Sequence, residues 1–259
     1  MGSDLELALS LADAADAITM KHYRSSSLAV RTKIDRSPVS EADEAVERMI
    51  RERLASEHPD DAIVGEEYGV SGTAARRWIV DPIDGTKNYV RGIPVFATLI
   101  GLEVDGVLTV GVVSAPALHR RWWASRGNGA FIARPEGAVI NVERMHVSAI
   151  STLEEAHVGY DEVKDFDKAG SAERFLALTR GAVRSRGFGD FWAHMLVAEG
   201  AIEIAIEPAV AWWDMAAVQV IVEEAGGRFT DLEGRPRADG GSALSTNGLV
   251  HETVLELFR

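Results

Sequence analysis

The sequence contains no cysteine among its 259 residues. This absence excludes disulfides, thiolate metal sites and cysteine nucleophiles, and it favours a reducing compartment such as the cytoplasm. No apolar run approaches the roughly 20 residues needed to span a bilayer. Residues 1–6 have neither the basic start nor the apolar centre of a signal peptide. We therefore expect a cytoplasmic protein without a membrane partner.

Positive charge is scarce: 27 lysines and arginines stand against 40 aspartates and glutamates, for a net charge of −13. A nucleic-acid partner is not expected, because phosphate backbones require a basic surface. The acidic excess suits a protein that binds divalent cations or a cationic substrate. With 46% hydrophobic residues, the chain can bury a sizeable core as one large domain or two packed subdomains.

The spacing of apolar residues predicts alternating helices and strands. A capping box at Ser3–Glu6 predicts a first helix to about Tyr23, and a second helix begins at Ser40. Asp105 and Gly106 predict a hairpin. Strands are predicted at 62–65, 78–80, 95–103, 107–114, 121–124, 130–132, 183–186, 201–206, 228–230 and 243–245, and further helices at 172–179, 190–199, 214–225 and 249–258. The change in pattern near residue 140 predicts two subdomains, 1–140 and 141–259, with a rigid interface.

The segment 78–88 holds two carboxylates three residues apart. Asp81 and Asp84 follow an apolar run and precede Gly85 and Thr86. The acids and the carbonyls between them offer the hard oxygen ligands that magnesium prefers. The free N–H groups after Gly85 offer a position for phosphate. The alternative interpretation is a strand end at which Asp84 caps a helix.

Further acids stand at predicted element boundaries. Glu66 and Glu67 follow a strand, and Asp214 opens a helix; apolar residues precede each of these positions. Carboxylates packed together at the edge of a core repel one another, and a shared divalent cation removes the conflict. The alternative is that the glutamates are solvated and that Asp214 is a helix cap.

Four segments in this order resemble the inositol monophosphatase family of magnesium-dependent, lithium-sensitive phosphatases. They are residues 38–43 (PVSEAD), 65–67 (GEE), 81–86 (DPIDGT) and 213–217 (WDMAA). The resemblance covers nearly the whole chain. It implies an α/β layered sandwich with the αβαβα fold shared with fructose bisphosphatases, a homodimer, and two to three Mg²⁺ ions per active site.

The resemblance also implies roles for individual residues. A first Mg²⁺ would be held by Glu66, Asp81 and the carbonyl of Ile83, and a second by Asp81, Asp84 and Asp214. A third, weaker ion would lie near Glu66. The first subdomain thus carries most metal ligands, and the second supplies Asp214 and the residues for substrate specificity.

Water is the implied nucleophile, so no phospho-enzyme is required. Glu67, Thr86 and Asp43 would orient or deprotonate this water. The N–H groups of Gly85 and Thr86 would bind the phosphate. Lys87 could also reach the phosphate, although a solvated helix-face lysine is the ordinary alternative.

The segment Phe188-Gly-Asp190 is similar to the histidinol-phosphate phosphatase branch of the family, whereas inositol phosphatases usually carry small residues there. Histidinol phosphate has an ammonium and an imidazole, with which a carboxylate can pair. Asp190 and Glu207 would form an anionic receptor for the ammonium, and Arg186 would contact the substrate or its phosphate. In the alternative interpretation, Asp190 caps a helix and Glu207 is a solvated strand end.

We therefore expect a magnesium-dependent phosphomonoesterase that hydrolyses L-histidinol phosphate in histidine biosynthesis. Within the same class, the alternative is an inositol-1-phosphate phosphatase or a broad-specificity sugar phosphatase. An alternative of another class is a non-catalytic accessory protein of transcription or the ribosome on the same scaffold. No catalytic role is expected for the histidines, among them His194, because they lack metal-ligand spacing.

Overall fold

The computed structural model of the chain describes residues 2–32, 38–137 and 139–259. Met1, residues 33–37 and Ala138, all within the predicted first subdomain, lie outside the described residues. The helices in the described ranges are α1 (Ser3–His22), α2 (Glu41–Glu57), α3 (Thr86–Val90), α4 (Val163–Lys168), α5 (Ala172–Gly181), α6 (Asp190–Ala198), α7 (Trp212–Glu224) and α8 (His251–Phe258). None of them is long and apolar enough to cross a membrane.

Strands of the described residues form two large sheets and a short hairpin. The strands are β1 (Val30–Thr32), β2 (Pro38–Ser40), β3 (Ala62–Gly65), β4 (Gly69–Ser71), β5 (Arg76–Asp84), β6 (Ala97–Val104), β7 (Val107–Ala115), β8 (Arg120–Ser125), β9 (Gly129–Glu136), β10 (Val139–Arg144), β11 (His157–Tyr160), β12 (Arg184–Gly187), β13 (Ile204–Glu207), β14 (Arg228–Thr230) and β15 (Ala243–Thr246). The first sheet has the order β10-β9-β8-β7-β6-β5-β3-β4, and the second has the order β12-β11-β13-β15-β14. Strands β1 and β2 form the hairpin.

The layers alternate between helices and sheets. Helices α1 and α2 pack on one face of the first sheet, where Leu11 and Ile50 belong to the same buried cluster as Trp78 and Leu102. Helices α6 and α7 lie between the two sheets. The far face of the second sheet is covered by α4, α5 and α8, with the rings of Phe166 and Phe175 stacked. This arrangement confirms the predicted αβαβα fold.

Glycines in the first sheet let α7 approach closely. A Cβ atom on Gly111 would lie 2.4 Å from the carbonyl oxygen of Ala217, and one on Gly101 would lie 2.9 Å from the Cβ of Ala216. Real side chains do not tolerate such distances, so only glycine fits at these two positions. The close packing places α7 beside β5.

Several local predictions can be compared with the structure. The predicted start of the second helix is confirmed, because Ser40 is the N-cap of α2. Its hydroxyl oxygen accepts the Ala42 N–H at 3.2 Å, and Oδ2 of Asp43 accepts the Ser40 N–H at 2.8 Å. The capping box at α1 is wrong: the helix begins one residue earlier, with Gly2 as the N-cap, so Ser3 already lies inside the first turn. Asp105 and Gly106 both have positive φ, 52° and 79°, as a two-residue hairpin turn requires.

The sequence patterns missed the short strands β1, β2 and β4, and also β10, β11 and α4. Strand β10 pairs antiparallel with β9 and extends the first sheet to Arg144, across the subdomain boundary expected near residue 140. The division into 1–140 and 141–259 therefore stays a prediction. Strand β11 is short and contains Gly159, where a Cβ would lie only 2.8 Å from Ile202. Because the packing requires glycine at this position, the buried strand has few apolar side chains by which to recognise it in the sequence.

Candidate active site

Strand β5 carries two of the acids. The strand does not end at Asp81, as the sequence suggested, but continues to Asp84. Asp81 pairs with Leu99 and Asp84 with Ala97, so β5 has one more residue than β6 over this interval. Side chains three residues apart in a regular strand point to opposite faces, and an extra residue restores the same face. This bulge, which lies between Asp81 and Asp84, brings both carboxylates together.

Helix α7 supplies the third acid. The helix begins at Trp212, two residues before the predicted start, and Asp214 lies in its first turn, where its Oδ2 accepts the Ala211 N–H at 2.8 Å. Each of Asp81, Asp84 and Asp214 offers an oxygen atom within 4.8 Å of the others. The structure therefore brings these three predicted metal ligands into one group.

The three carboxylates are poorly compensated by the protein. Asp81 is buried, and the other two are half-buried. Desolvation by burial raises the pKa of Asp81 and Asp84 well above the ordinary value, and it raises the pKa of Asp214 to about 7. Repulsion from neighbouring carboxylates, including Glu66 and Asp190, raises the pKa values further. These three carboxylates form no ion pair with any described lysine, arginine or histidine. Together they provide oxygen ligands that fit a hard divalent cation.

Glu66 and Glu67 follow β3 beside this group. Repulsion by the Glu66 carboxylate raises the pKa of both Asp81 and Asp214. The N–H of Glu67 donates to Oε2 of Glu47 at 2.7 Å, and the N–H of Tyr68 donates to Oε1 of Glu47 at 3.1 Å. Glu47, which the sequence analysis missed, is fully buried on α2 and fixes this turn. The sequence did contain a signal for Glu47, because a charged residue beside the apolar stripe of a helix is unusual.

Asp43, Thr86 and the Ile83 carbonyl form a second network. Asp43 accepts hydrogen bonds from the N–H and the hydroxyl of Ser40 at 2.8 and 2.5 Å. The Thr86 hydroxyl lies 3.2 Å from Oδ1 of Asp43 and 2.9 Å from the carbonyl oxygen of Ile83. Because a hydroxyl has one hydrogen, Thr86 donates to one acceptor at a time. Burial raises the pKa of Asp43 to about 6.

Gly85 links β5 to α3 in a left-handed conformation, with φ 82°. A Cβ there would lie 2.9 Å from the carbonyl oxygen of Val95. Asp84 does not cap α3, contrary to the alternative interpretation. Its Oδ2 instead accepts the N–H of Phe191 at 2.7 Å, at the start of α6. This contact ties the first sheet to the central helices.

A pocket of about 170 Å³ opens beside these residues. It is lined by Pro38, Glu66, Gly85, Thr86, Lys87, Asn88, Asp161, Glu162 and Asp190. Asp161 and Glu162, which directly follow β11, were missed because that strand was not predicted. The ammonium of Lys87 pairs with Glu162 at 2.9 Å, and its side chain is 66% exposed. The pocket wall therefore contains more carboxylates than cations among the described residues.

Asp190 contacts Asn88 within this wall. Its Oδ2 accepts a hydrogen bond from the amide of Asn88 at 2.8 Å. Burial, followed by repulsion from Asp161 and Glu207, raises the pKa of Asp190 to about 8, while Lys87 opposes the rise. Gly189 is the N-cap of α6, so Asp190 is not the helix cap of the alternative interpretation.

Glu207 and Arg186 lie in different surroundings. Glu207 ends β13 with 8% exposure, so it is not a solvated strand end. Arg186 is exposed on the edge strand β12, where its guanidinium donates to the Ser185 carbonyl at 2.8 Å. It lines a separate cavity of about 220 Å³ together with Phe188 and Trp192. The structure therefore does not bring Arg186 together with the acidic pocket.

Comparison with known proteins places this geometry in a family. The sequence profile of the inositol monophosphatase family matches residues 3–259. The histidinol-phosphatase of Streptomyces coelicolor is 50% identical over 256 residues, covering 97% of this chain and 95% of that protein. The histidinol-phosphatase of Mycobacterium tuberculosis is 51% identical over 253 residues, covering 97% and 96%.

Solved structures agree with the fold. An inositol monophosphatase of Thermotoga maritima superposes with a TM-score of 0.85 and 30% identity, covering 99% of this chain and 97% of that chain. The extragenic suppressor protein suhB of Bartonella henselae superposes with a TM-score of 0.88 and 27% identity, covering 100% and 99%.

Proposed function

The chain belongs to the inositol monophosphatase family and is a phosphatase, and on this premise we propose that it hydrolyses L-histidinol phosphate to L-histidinol and phosphate. The family is metal-dependent, and the group of Asp81, Asp84 and Asp214 could bind a metal ion. We propose that the metal is Mg²⁺, with two to three ions per active site, and that the reaction belongs to histidine biosynthesis.

The observation that carries this proposal is a second set of carboxylates beside the metal group. Asp161, Glu162 and Asp190 line the pocket, and Glu207 is close enough to raise the pKa of Asp190. Histidinol phosphate has an ammonium and an imidazole that can form charge-assisted hydrogen bonds with such acids. A polyol phosphate has no cation for them and would leave several carboxylates repelling one another.

Two relatives support the same substrate. Both the Streptomyces coelicolor and the Mycobacterium tuberculosis proteins are histidinol-phosphatases, and each is about half identical to this chain over nearly its whole length. A substrate pocket depends on few side chains, so a shared fold alone would not fix the ester. The acidic wall and the close relatives point to the same cationic substrate.

The chain's own residues suggest how the reaction is arranged. Glu66, Asp81, Asp84, Asp214 and the carbonyl of Ile83 would hold the Mg²⁺ ions. Bound Mg²⁺ supplies a Lewis acid, which polarises the phosphoryl oxygens and lowers the pKa of water.

Asp43 and Thr86, which lie next to the proposed metal ligands, would take up the proton of the attacking water. The Thr86 hydroxyl can accept a hydrogen bond from the attacking water while donating to Asp43. With its pKa raised to about 6, Asp43 can take up a proton near neutral pH more readily than an ordinary aspartate. Glu67, held by its backbone N–H on Glu47, would orient the same water. The N–H groups of Gly85 and Thr86 would bind the phosphate, with Lys87 at the rim.

The proposal is tested by phosphate release from purified protein with Mg²⁺ on L-histidinol phosphate, inositol 1-phosphate and fructose 1,6-bisphosphate. We expect a preference for L-histidinol phosphate of about 100-fold in kcat/KM, or about 2.7 kcal/mol of transition-state discrimination. Equal rates, or a preference for inositol 1-phosphate, would replace this substrate with a polyol or a broad range of sugar phosphates. The absence of release from every ester, with metal bound, would favour an accessory protein.

Matched variants connect the preference to the pocket. Asp190→Asn removes a carboxyl that a bound cation would hold in its ionised form, but it keeps an acceptor for the Asn88 amide. We expect this variant to lose most of the preference for L-histidinol phosphate. Glu154→Gln, which alters an exposed acid in a turn away from the pocket, should behave as wild type.

We propose in addition that the protein is a cytoplasmic homodimer, as the family resemblance implies. Light scattering coupled to size exclusion should then give twice the 28.0 kDa mass of one chain. A monomer mass at micromolar concentration would contradict the dimer without affecting the substrate assignment.

A further inference from the structure

A buried hydrogen-bonded chain of three side chains lies behind the acidic pocket. His194 has no exposed surface. Its Nδ1 atom lies 2.7 Å from the hydroxyl oxygen of Ser245, and its Nε2 atom lies 3.0 Å from Oε1 of Glu207. The imidazole therefore connects the core of the second sheet to a carboxylate at the pocket.

Helix α6 and strands β13 and β15 hold these three hydrogen-bonded side chains in place. His194 lies on α6 four residues after Asp190, so both side chains lie on one face of the helix. Ser245 lies on β15, which pairs antiparallel with β13, and Glu207 ends β13. The Glu207 side chain retains 11% exposure. Its carboxylate contributes to the raised pKa of Asp84, Asp190 and Asp214, which places it near both the metal group and the pocket wall.

The hydrogens of Ser245, His194 and Glu207 can be placed in two ways. Burial lowers the pKa of His194 to about 3, so the ring is neutral and carries one hydrogen. With the hydrogen on Nε2, the ring accepts from the Ser245 hydroxyl and donates to an ionised Glu207. This bond stabilises the charged form of a carboxyl whose pKa burial raises well above its ordinary value. With the hydrogen on Nδ1, the ring donates to Ser245, and Glu207 must itself carry a proton to complete the bond. The first arrangement gives the pocket a negative charge for a cation to meet.

We propose that His194 is a positioning residue that, with its hydrogen held on Nε2 by Ser245, orients an ionised Glu207 toward the cationic end of the substrate. In this role it increases the selectivity for phosphate esters that carry an ammonium or imidazolium over uncharged polyol phosphates. This inference rests on the function proposed above. It assigns a role to a histidine that lacks any metal-ligand spacing in the sequence.

Steady-state kinetics of the full-length protein with Mg²⁺ distinguishes positioning from simple core packing. His194→Met keeps a long side chain of similar size but removes the hydrogen-bond donor, whereas His194→Gln keeps an N–H group that can reach Glu207. We expect His194→Met to raise KM for L-histidinol phosphate about 10-fold while kcat changes little, as loss of a hydrogen bond to a charged acceptor predicts. The KM for inositol 1-phosphate should not change. His194→Gln should recover most of the loss.

Nitrogen NMR of the imidazole gives a readout independent of turnover. With saturating L-histidinol, the His194 ring should carry its hydrogen on Nε2, and Ser245→Ala should shift the ring toward the other tautomer. An Nδ1–H ring in the complex would overturn the proposal. An unchanged KM for L-histidinol phosphate in His194→Met would overturn it too, as would an equal rise for both substrates.

Failure of the proposed function is recognised separately. A wild-type protein that does not prefer L-histidinol phosphate contradicts the substrate assignment and, with it, the role of His194. A wild-type protein that has the preference, and keeps it in His194→Met, contradicts the role of His194 alone.

Discussion

Removing one charge from the metal group should stabilise the metal-free protein and abolish its activity. Asp214 has its pKa raised to about 7 by burial and by neighbouring carboxylates, against about 3.9 in an unfolded chain. Because the folded state binds the proton more tightly, ionisation destabilises the fold. The penalty is absent below about pH 4, grows as the pH rises from 4 to 7, and is complete above 7.

The magnitude follows from the difference in pKa. A difference of about 3 units corresponds to about 4 kcal/mol at most, at 1.36 kcal/mol per unit. Asp214 is only half-buried, so solvent screening reduces the figure to about 2 kcal/mol. Asparagine retains an oxygen that can accept the Ala211 N–H. Asp214→Asn should therefore stabilise the metal-free protein in EDTA by about 2 kcal/mol at pH 8, which corresponds to a rise of roughly 4 °C in Tm.

The assay is thermal unfolding in EDTA at pH 4.5 and pH 8, repeated with saturating Mg²⁺. The gain in Asp214→Asn should be clearly smaller at pH 4.5 than at pH 8, where it should be largest. With Mg²⁺ the order should reverse, because only the wild-type group binds the ion fully, and turnover of the variant should be lost. Asp231→Asn is the control, because Asp231 is buried but accepts hydrogen bonds from two backbone N–H groups and Arg237; it should lower Tm under every condition. An Asp214→Asn variant that is equally destabilised at both pH values in EDTA would refute the reasoning.

Three further predictions follow from the same structure. In EDTA the wild-type Tm should fall as the pH rises from 5 to 8, because burial raises the pKa values of Asp81 and Asp84. Scanning fluorimetry should show that Mg²⁺ raises Tm more at pH 8 than at pH 5. An equal rise in Tm at both pH values would contradict this prediction. Glu47→Gln should lower kcat/KM about tenfold, because the acceptor for the Glu67 and Tyr68 N–H groups is weakened; Glu57→Gln, at an exposed pair on the same helix, should not. Gly111→Ala should cost about 1–3 kcal/mol in chemical denaturation through its clash with Ala217. Gly187→Ala, whose Cβ would make only ordinary contacts of 3.5 Å or more, should be close to neutral.

The contiguous part of the candidate site could be predicted from sequence because its chemistry is local. Asp81, Asp84, Gly85 and Thr86 stand within six residues, and the bulge that joins the two acids lies between them. The αβαβα fold followed from the resemblance of four ordered motifs to a family, since periodicity alone gave only separate helices and strands.

The rest of the site depends on contacts between residues far apart in the chain. Glu47 reaches the turn after β3 from the neighbouring helix, and His194 meets Glu207 and Ser245 across a sheet. No local pattern marks such partners, although a charged residue on the apolar face of a helix is a signal worth following. Asp161 was missed for a different reason, since β11 is too short and too interrupted by glycine to be predicted as a strand.

Our main proposal is that the acidic pocket of this phosphatase selects a cationic phosphate ester. It is tested most directly by the ratio of kcat/KM for L-histidinol phosphate to that for inositol 1-phosphate, measured with Mg²⁺ in wild type and Asp190→Asn. We predict a ratio of about 100 in wild type that falls most of the way toward unity in the variant. A wild-type ratio near or below one would contradict the claim.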